Sequence, residues 1–204
     1  MSSGESDNDS DFGPIRTTSN RLWKSHKKSK SPRKTEELST STEEYTTNQL
    51  LKLHQQAEKD LRIGRIETAL EKFYTCIDHY YTAVGQDTSN TEYSEYFVDT
   101  LKFLNENALH LIKEDKVGAS LKILETCNEI ASGKKYGAFP HIQSLTFNHI
   151  ACCYRRLGKL ETALKYLEKS VAALSGSEER ENLGITHINF CAIYSQLRKY
   201  GYSG

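Results

Sequence analysis

The sequence predicts an all-α protein, on three observations. From residue 47 onward apolar residues recur at helical spacing, proline and glycine become sparse, and no stretch alternates as a strand does. Helices are expected at about 47–62, 66–84, 91–113, 117–131, 139–156, 160–174 and 180–197. Leu53 and Ala57 give the first its apolar stripe; Ile66, Ala69, Leu70 and Phe73 give the second. Leu104, Ala108 and Leu111 mark the third, and Val117, Leu121 and Leu124 the fourth. Pro140 suits the first turn of the fifth, whose stripe is Phe147, Ile150, Ala151 and Tyr154. Leu160, Ala163, Leu164 and Leu167 mark the sixth. In the seventh, Ile185, Ile188, Phe190, Ile193, Tyr194 and Leu197 run nearly round the helix, which suits a longer array or a partner covering that end.

Residues 1–46 read as a disordered charged tail, because Ser, Thr, Asn, Asp and Lys dominate and large apolar residues are isolated. Its charge is blocked: Glu5, Asp7, Asp9 and Asp11 come first, then a basic block from Arg16 to Lys34, then Glu36, Glu37, Glu43 and Glu44. The basic block suits a nuclear-import signal, an anionic-surface patch, a kinase-regulated segment at Ser31-Pro32, or simply a solvated tail. Trp23, flanked by Lys27, Lys28 and Lys30, is the candidate docking element here, since a lone tryptophan gains little in a tail unless something receives it. Over the whole chain 27 Lys+Arg balance 27 Asp+Glu, so no global field favours nucleic acid or an acidic membrane. No run approaches the ~18 apolar residues of a membrane span, and the polar N-terminus is no secretory signal. The reading is a cytoplasmic protein, with a nuclear or a cytoskeletal and ciliary association as alternatives.

The chemistry-bearing residues form no catalytic pattern. Five cysteines, Cys76, Cys127, Cys152, Cys153 and Cys191, show neither C-x-x-C nor zinc spacing. Cys76, Cys127 and Cys191 are expected as packing residues, reduced and apolar in character. Seven histidines are scattered through the chain, and no phosphate loop, H-E-x-x-H or G-x-S-x-G occurs. The expectation is a non-enzyme with no cofactor, no metal and no small-molecule substrate.

The helices repeat as pairs. "GRIETALEKF" at 64–73 and "GKLETALKYL" at 158–167 are the closest internal match. In the first unit Leu53, Ala57, Gly64, Ile66, Ala69, Leu70 and Phe73 keep the same ruler as Phe147, Ala151, Gly158, Leu160, Ala163, Leu164 and Leu167 in the third, where Ile150 and Tyr154 fill in between. A weaker copy runs through Leu104, Ala108, Leu111, Val117, Ser120 and Leu124, and a fourth begins at His187, Phe190, Cys191 and Tyr194. A small residue on each helix of a pair permits close approach while large neighbours fill the space.

Over residues 47–204 this ruler resembles the tetratricopeptide repeat family, in roughly three and a half units. The turn residues Gly64, Asp115, Gly158 and Arg198 are 51, 43 and 40 apart, longer than the family period of about 34, and the closing proline is missing. The resemblance implies a right-handed α-solenoid of antiparallel helix pairs, incomplete at its C-terminal end. It also implies a scaffold or adaptor whose first helices line a concave groove for a protein partner. The ruler projects Leu51, His54, Glu58 and Arg62 into that groove, then Lys102, Asn105, Leu109 and Lys113. Leu145, Asn148, Cys152, Arg155 and Arg156 follow, then Ile188, Ala192 and Gln196. Glu58 and Leu145 stand where a carboxylate clamp needs Asn and Lys. The preferred ligand is an acidic, extended or amphipathic segment that meets Arg62, Lys113, Arg155 and Arg156. Read otherwise, these four cations are solvated helix ends favoured by the helix dipole. Lys102 belongs to the same lining, and Asn105 and Asn148 are placed to hold a peptide backbone. The alternatives are an architectural or regulatory module of a larger signalling or ciliary assembly, and nucleic-acid or anionic-surface binding through the basic tail.

Overall fold

The computed structural model describes residues 39–84, 91–175 and 180–201, and within them the chain is helical. In chain order the elements are α1 (Ser39–Arg62), α2 (Ile66–Val84), α3 (Thr91–Lys113), α4 (Val117–Ala131), α5 (Pro140–Arg156), α6 (Leu160–Ala173) and α7 (Arg180–Gly201). Residues 39–46, expected in the tail, belong to α1. They lack an apolar stripe but also any glycine or proline that would stop a helix. The rest of the expected tail, including Trp23, Lys27, Lys28 and Lys30, lies outside the described residues.

Helices α1–α2, α3–α4 and α5–α6 form hairpins, and their turns are built alike. Each turns on one residue with positive φ: Gly64 at 82°, Asp115 at 60° and Gly158 at 72°. In the first, the Gly64 amide donates to the Leu61 carbonyl at 3.1 Å and Arg65 to Asp60 at 2.8 Å. Asp115 and Lys116 donate likewise to Ile112 and Leu111, and Gly158 and Lys159 to Arg155 and Tyr154. This is the Schellman closure, which satisfies carbonyls left over at a helix end and needs a left-handed residue. Ala69, Ser120 and Ala163 then donate back to Arg65, Lys116 and Lys159 to start the second helices.

A fourth turn at Arg198 is not found. Arg198 lies inside α7, and the first glycine after it is Gly201. With no residue there suited to positive φ, nothing ends the helix. The same conformational demand makes a test. Asp115 carries the strain that Gly64 and Gly158 avoid, and its ion pair with Arg156 at 3.6 Å is exposed and weak. Asp115→Gly is expected to raise stability by about 0.5–1 kcal/mol and Gly158→Ala to lower it by about 1 kcal/mol, read from urea midpoints.

Inside each hairpin the small residues face each other as the ruler requires. Ala57 and Ala69, Ala108 and Ser120, and Ala151 and Ala163 are all buried. The Ser120 hydroxyl satisfies itself by donating to the Ala108 carbonyl at 2.9 Å. Phe73, Leu124 and Leu167 fill the space two to three turns into the second helices and are fully buried. Beyond the hairpins, α3 packs on α5 and α5 on α7, while α2 packs on α4 and α4 on α5.

The connection from α4 to α5 folds back through Gly133 and Gly137, both at positive φ, and a bridge joins Ser132 to Ala138. It delivers Tyr136 and Phe139 onto Phe97 of α3, with ring centroids 5.6 Å away in each case. Tyr136 and Lys135 also donate to Asp78 of α2, whose carboxyl those bonds hold below its usual range despite partial burial. Tyr74 donates to Glu129 at 2.7 Å, and Lys122 pairs with Glu67, so α2 and α4 are tied along their exposed edges.

Candidate partner-binding face

The first helices of the hairpins, α1, α3 and α5, together with α7, carry the residues that the sequence assigns to a partner. Counting back ten residues from each turn residue gives His54 from Gly64, Asn105 from Asp115 and Asn148 from Gly158. These three polar side chains are 1%, 0% and 1% exposed. Asn105 and Asn148 are therefore no rim for a peptide backbone. They are rungs between successive first helices, and their amides are already used.

Each rung has its own chemistry. His54 Nδ1 lies 3.1 Å from the Tyr96 hydroxyl of α3, and its Nε2 lies 3.5 Å from Glu58. Asn105 donates to the Leu101 carbonyl at 2.9 Å and to Thr146 of α5 at 3.1 Å. Its amide oxygen faces His149 Nδ1 at 3.1 Å, which makes His149 the donor there. Asn148 donates to Ser170 of α6 at 2.9 Å and to Thr186 of α7 at 2.8 Å, and accepts from Asn189 at 3.1 Å. Ser144 and Ser170 complete that cluster at 2.7 Å, so α5, α6 and α7 meet through a buried polar junction. Tyr96, Thr146, His149, Thr186 and Asn189 escape a reading that projects outward positions only; the constant distance to the turn finds the rungs His54, Asn105 and Asn148 but not the residues that receive them.

Burial pushes the His149 imidazole down to about 4, so it is neutral in the fold at physiological pH. The unfolded chain takes up the proton near 6.5, so protonation favours unfolding as pH falls from there towards 4. Stability is expected to be level above pH 7 and to fall by up to about 3 kcal/mol between pH 6.5 and pH 4 through this group. Urea midpoints across that window, compared with His149→Gln, check it: the variant should lose most of that acid sensitivity.

The expected cations separate into two groups. Arg62 sits 3.6 Å from buried Glu58, and Arg156 lies 3.6 Å from Asp115, so both already have carboxylates. Lys113 is exposed at the end of α3. Lys102 is exposed on α3 and Arg155 half-buried on α5, and among the described residues neither has a carboxylate at ion-pair distance. A cleft of about 320 Å³ opens where the first two turns adjoin, lined in part by Arg62, Ile63, Asn107, His110 and Glu114.

The thiols divide differently from expectation. Cys76 and Cys127 are buried, as is Cys153, which the Ser120 hydroxyl approaches at 3.5 Å. Burial pushes Cys76 up to about 12 and raises Cys127, Cys152 and Cys153, which keeps them protonated and poor nucleophiles at neutral pH. Cys191, expected as a packing residue, is exposed, because no second helix lies over that side of α7 among the described residues. Among the described residues no cluster of His, Cys, Asp or Glu could hold a metal ion, and no helix is long and apolar enough to cross a membrane.

Compared with protein-family models, with curated proteins and with solved structures, the chain matches none.

Proposed function

We propose that the chain is a non-catalytic scaffold whose first helices line the concave face of a right-handed α-solenoid of tetratricopeptide type, where a partner segment binds. The observation that carries this reading is the threefold recurrence of one hairpin. The same turn bonds recur, the same small residues meet, and a buried polar rung stands at the same place in α1, α3 and α5. Rungs hold α3 beside α5 and α5 beside α7, and His54 links α1 to Tyr96 of α3, which gives the outward positions of these helices a fixed spacing. Such a surface suits an extended or amphipathic segment better than a small molecule.

On that face Lys102 and Arg155 are the cations without an internal carboxylate, and an acidic partner segment is the proposed ligand. Arg62 contributes less, since binding through it requires giving up buried Glu58, whereas the exposed pair of Arg156 with Asp115 is weak and easily exchanged. The experiment is affinity capture by the full chain from its native cells, compared with the double variant Lys102→Glu, Arg155→Glu. Capture of a specific protein should fall at least about tenfold for the variant, while its helical circular dichroism is unchanged. Undiminished capture by a correctly folded variant sinks the groove reading.

A further inference from the structure

The rungs allow α7 to be aligned with α5 on contacts alone. Asn105 is met on α5 by Thr146 and His149, and Asn148 is met on α7 by Thr186 and Asn189. The two receiving pairs have the same spacing, and a shift of 40 residues carries one onto the other. Under that shift Leu145, Asn148, Ala151 and Tyr154 of α5 become Ile185, Ile188, Cys191 and Tyr194 of α7. In α5 Asn148 and Ala151 are 1% exposed, because α6 and α7 cover them. On α7 Ile188 is 70% exposed, Tyr194 56% and Ile185 42%, and Cys191 is also exposed.

Three features bear on what covers this face. The rung position changes from His or Asn to isoleucine, so its cover is held by apolar contact and not by an amide. From Leu183 to Leu197 there is no Asp, Glu, Lys or Arg, in a chain that is 26% charged. A solvated helix face of that length ordinarily carries several charges. Finally, on α1 at the other end of the array the exposed residues Lys52, Gln55, Gln56 and Lys59 are polar, with Ile63 the apolar exception among the described residues there. Stacking one copy head-to-tail on another would bury those polar groups against isoleucines.

We propose that this bare α7 face is the seat of a twofold homodimer, in which α7 of a second copy packs antiparallel on the first with Ile188 near the axis. A twofold contact uses the same patch on both copies and closes after two. The absence of formal charge lets the patch meet itself without like-charge repulsion, and the copy supplies the apolar helix that the register calls for. The proposal is independent of the groove reading, because α7's bare face and the Lys102–Arg155 face are tested by different variants.

The experiment is sedimentation velocity of the full 204-residue chain from about 1 to 200 µM. The expected result is a reversible shift from the 23.2 kDa monomer to twice that mass. Ile188→Glu should weaken the dimer at least about 100-fold, since it places two carboxylates in an apolar contact. Its thermal midpoint should move little because the site is exposed in the monomer, and Arg155→Glu should leave the dimer intact. A chain that stays monomeric throughout, including one whose α7 is instead covered by a different protein, overturns the proposal. So does a dimer that persists in the double variant Ile185→Glu, Ile188→Glu.

Discussion

Asn148→Leu is expected to destabilise the chain by about 3–5 kcal/mol and to release α7 before the rest unfolds. The residue donates to Ser170 and Thr186 and accepts from Asn189, all within a junction whose members Ser144, Ser170 and Thr186 have no exposed surface. Leucine keeps the branching of asparagine but is larger, and it offers no hydrogen bond to those groups. Ser170 and Thr186 keep each other at 3.2 Å and Ser170 keeps Ser144. The loss is therefore that of the bonds made by Asn148 itself, about 1–3 kcal/mol, with about 1–3 kcal/mol more for the extra bulk in a packed site. The loss falls mainly on α7, because two of the three partners sit there. Hydrogen exchange should show α7 amides losing protection well below the global unfolding free energy, while α1–α4 keep theirs. Uniform loss of protection across all seven helices would mean that the junction is not what fastens α7.

Phe97→Ala is expected to cost about 3–5 kcal/mol and to loosen the α4–α5 connection as well as α3. Phe97 has no exposed surface and touches Tyr96, Tyr136 and Phe139, the last in a stacked arrangement at 5.6 Å. Truncation leaves a cavity that two glycine-containing turns at 133 and 137 cannot collapse into without shifting Tyr136 off Asp78. Chemical denaturation gives the stability loss, and proteolysis within 132–139 reports the connection. A variant with lost stability but an equally protected connection would separate the two roles and contradict this account.

Much of the fold was legible because it depends on local patterns. The helical period placed α2 through α6 within a residue or two, since their apolar stripes are bounded by turn residues the eye can find. The ends were harder. Serine and threonine at 39–42 look like tail, yet they are helical, and the missing fourth turn turned on whether residue 198 tolerates positive φ. The small contact pairs were legible for the same local reason, being fixed distances from each turn.

The face for a partner was less legible. Outward projection treats a polar residue on a first helix as available, but availability depends on the neighbouring helix, which sequence spacing does not supply. Asn105 and Asn148 were thus expected in the groove and are in the joints, while Arg62 and Arg156 have carboxylates from Glu58 on the same helix and from a distant turn. Cys191 shows the reverse error: it stands where alanine is buried in three earlier helices, but burial needs a covering helix.

The differing chemistry of the rungs has a consequence for how the molecule is put together during synthesis. Hairpins that look alike invite mistakes, because one can dock where its sibling belongs, within a chain or between two nascent ones. Here the joints do not interchange. The imidazole of His54 waits for a phenol, Asn105 for a hydroxyl and an imidazole, and Asn148 for two hydroxyls and an amide. A hairpin docked out of order strands buried polar atoms at its seam, which makes the native sequence of joints the one that closes without loss.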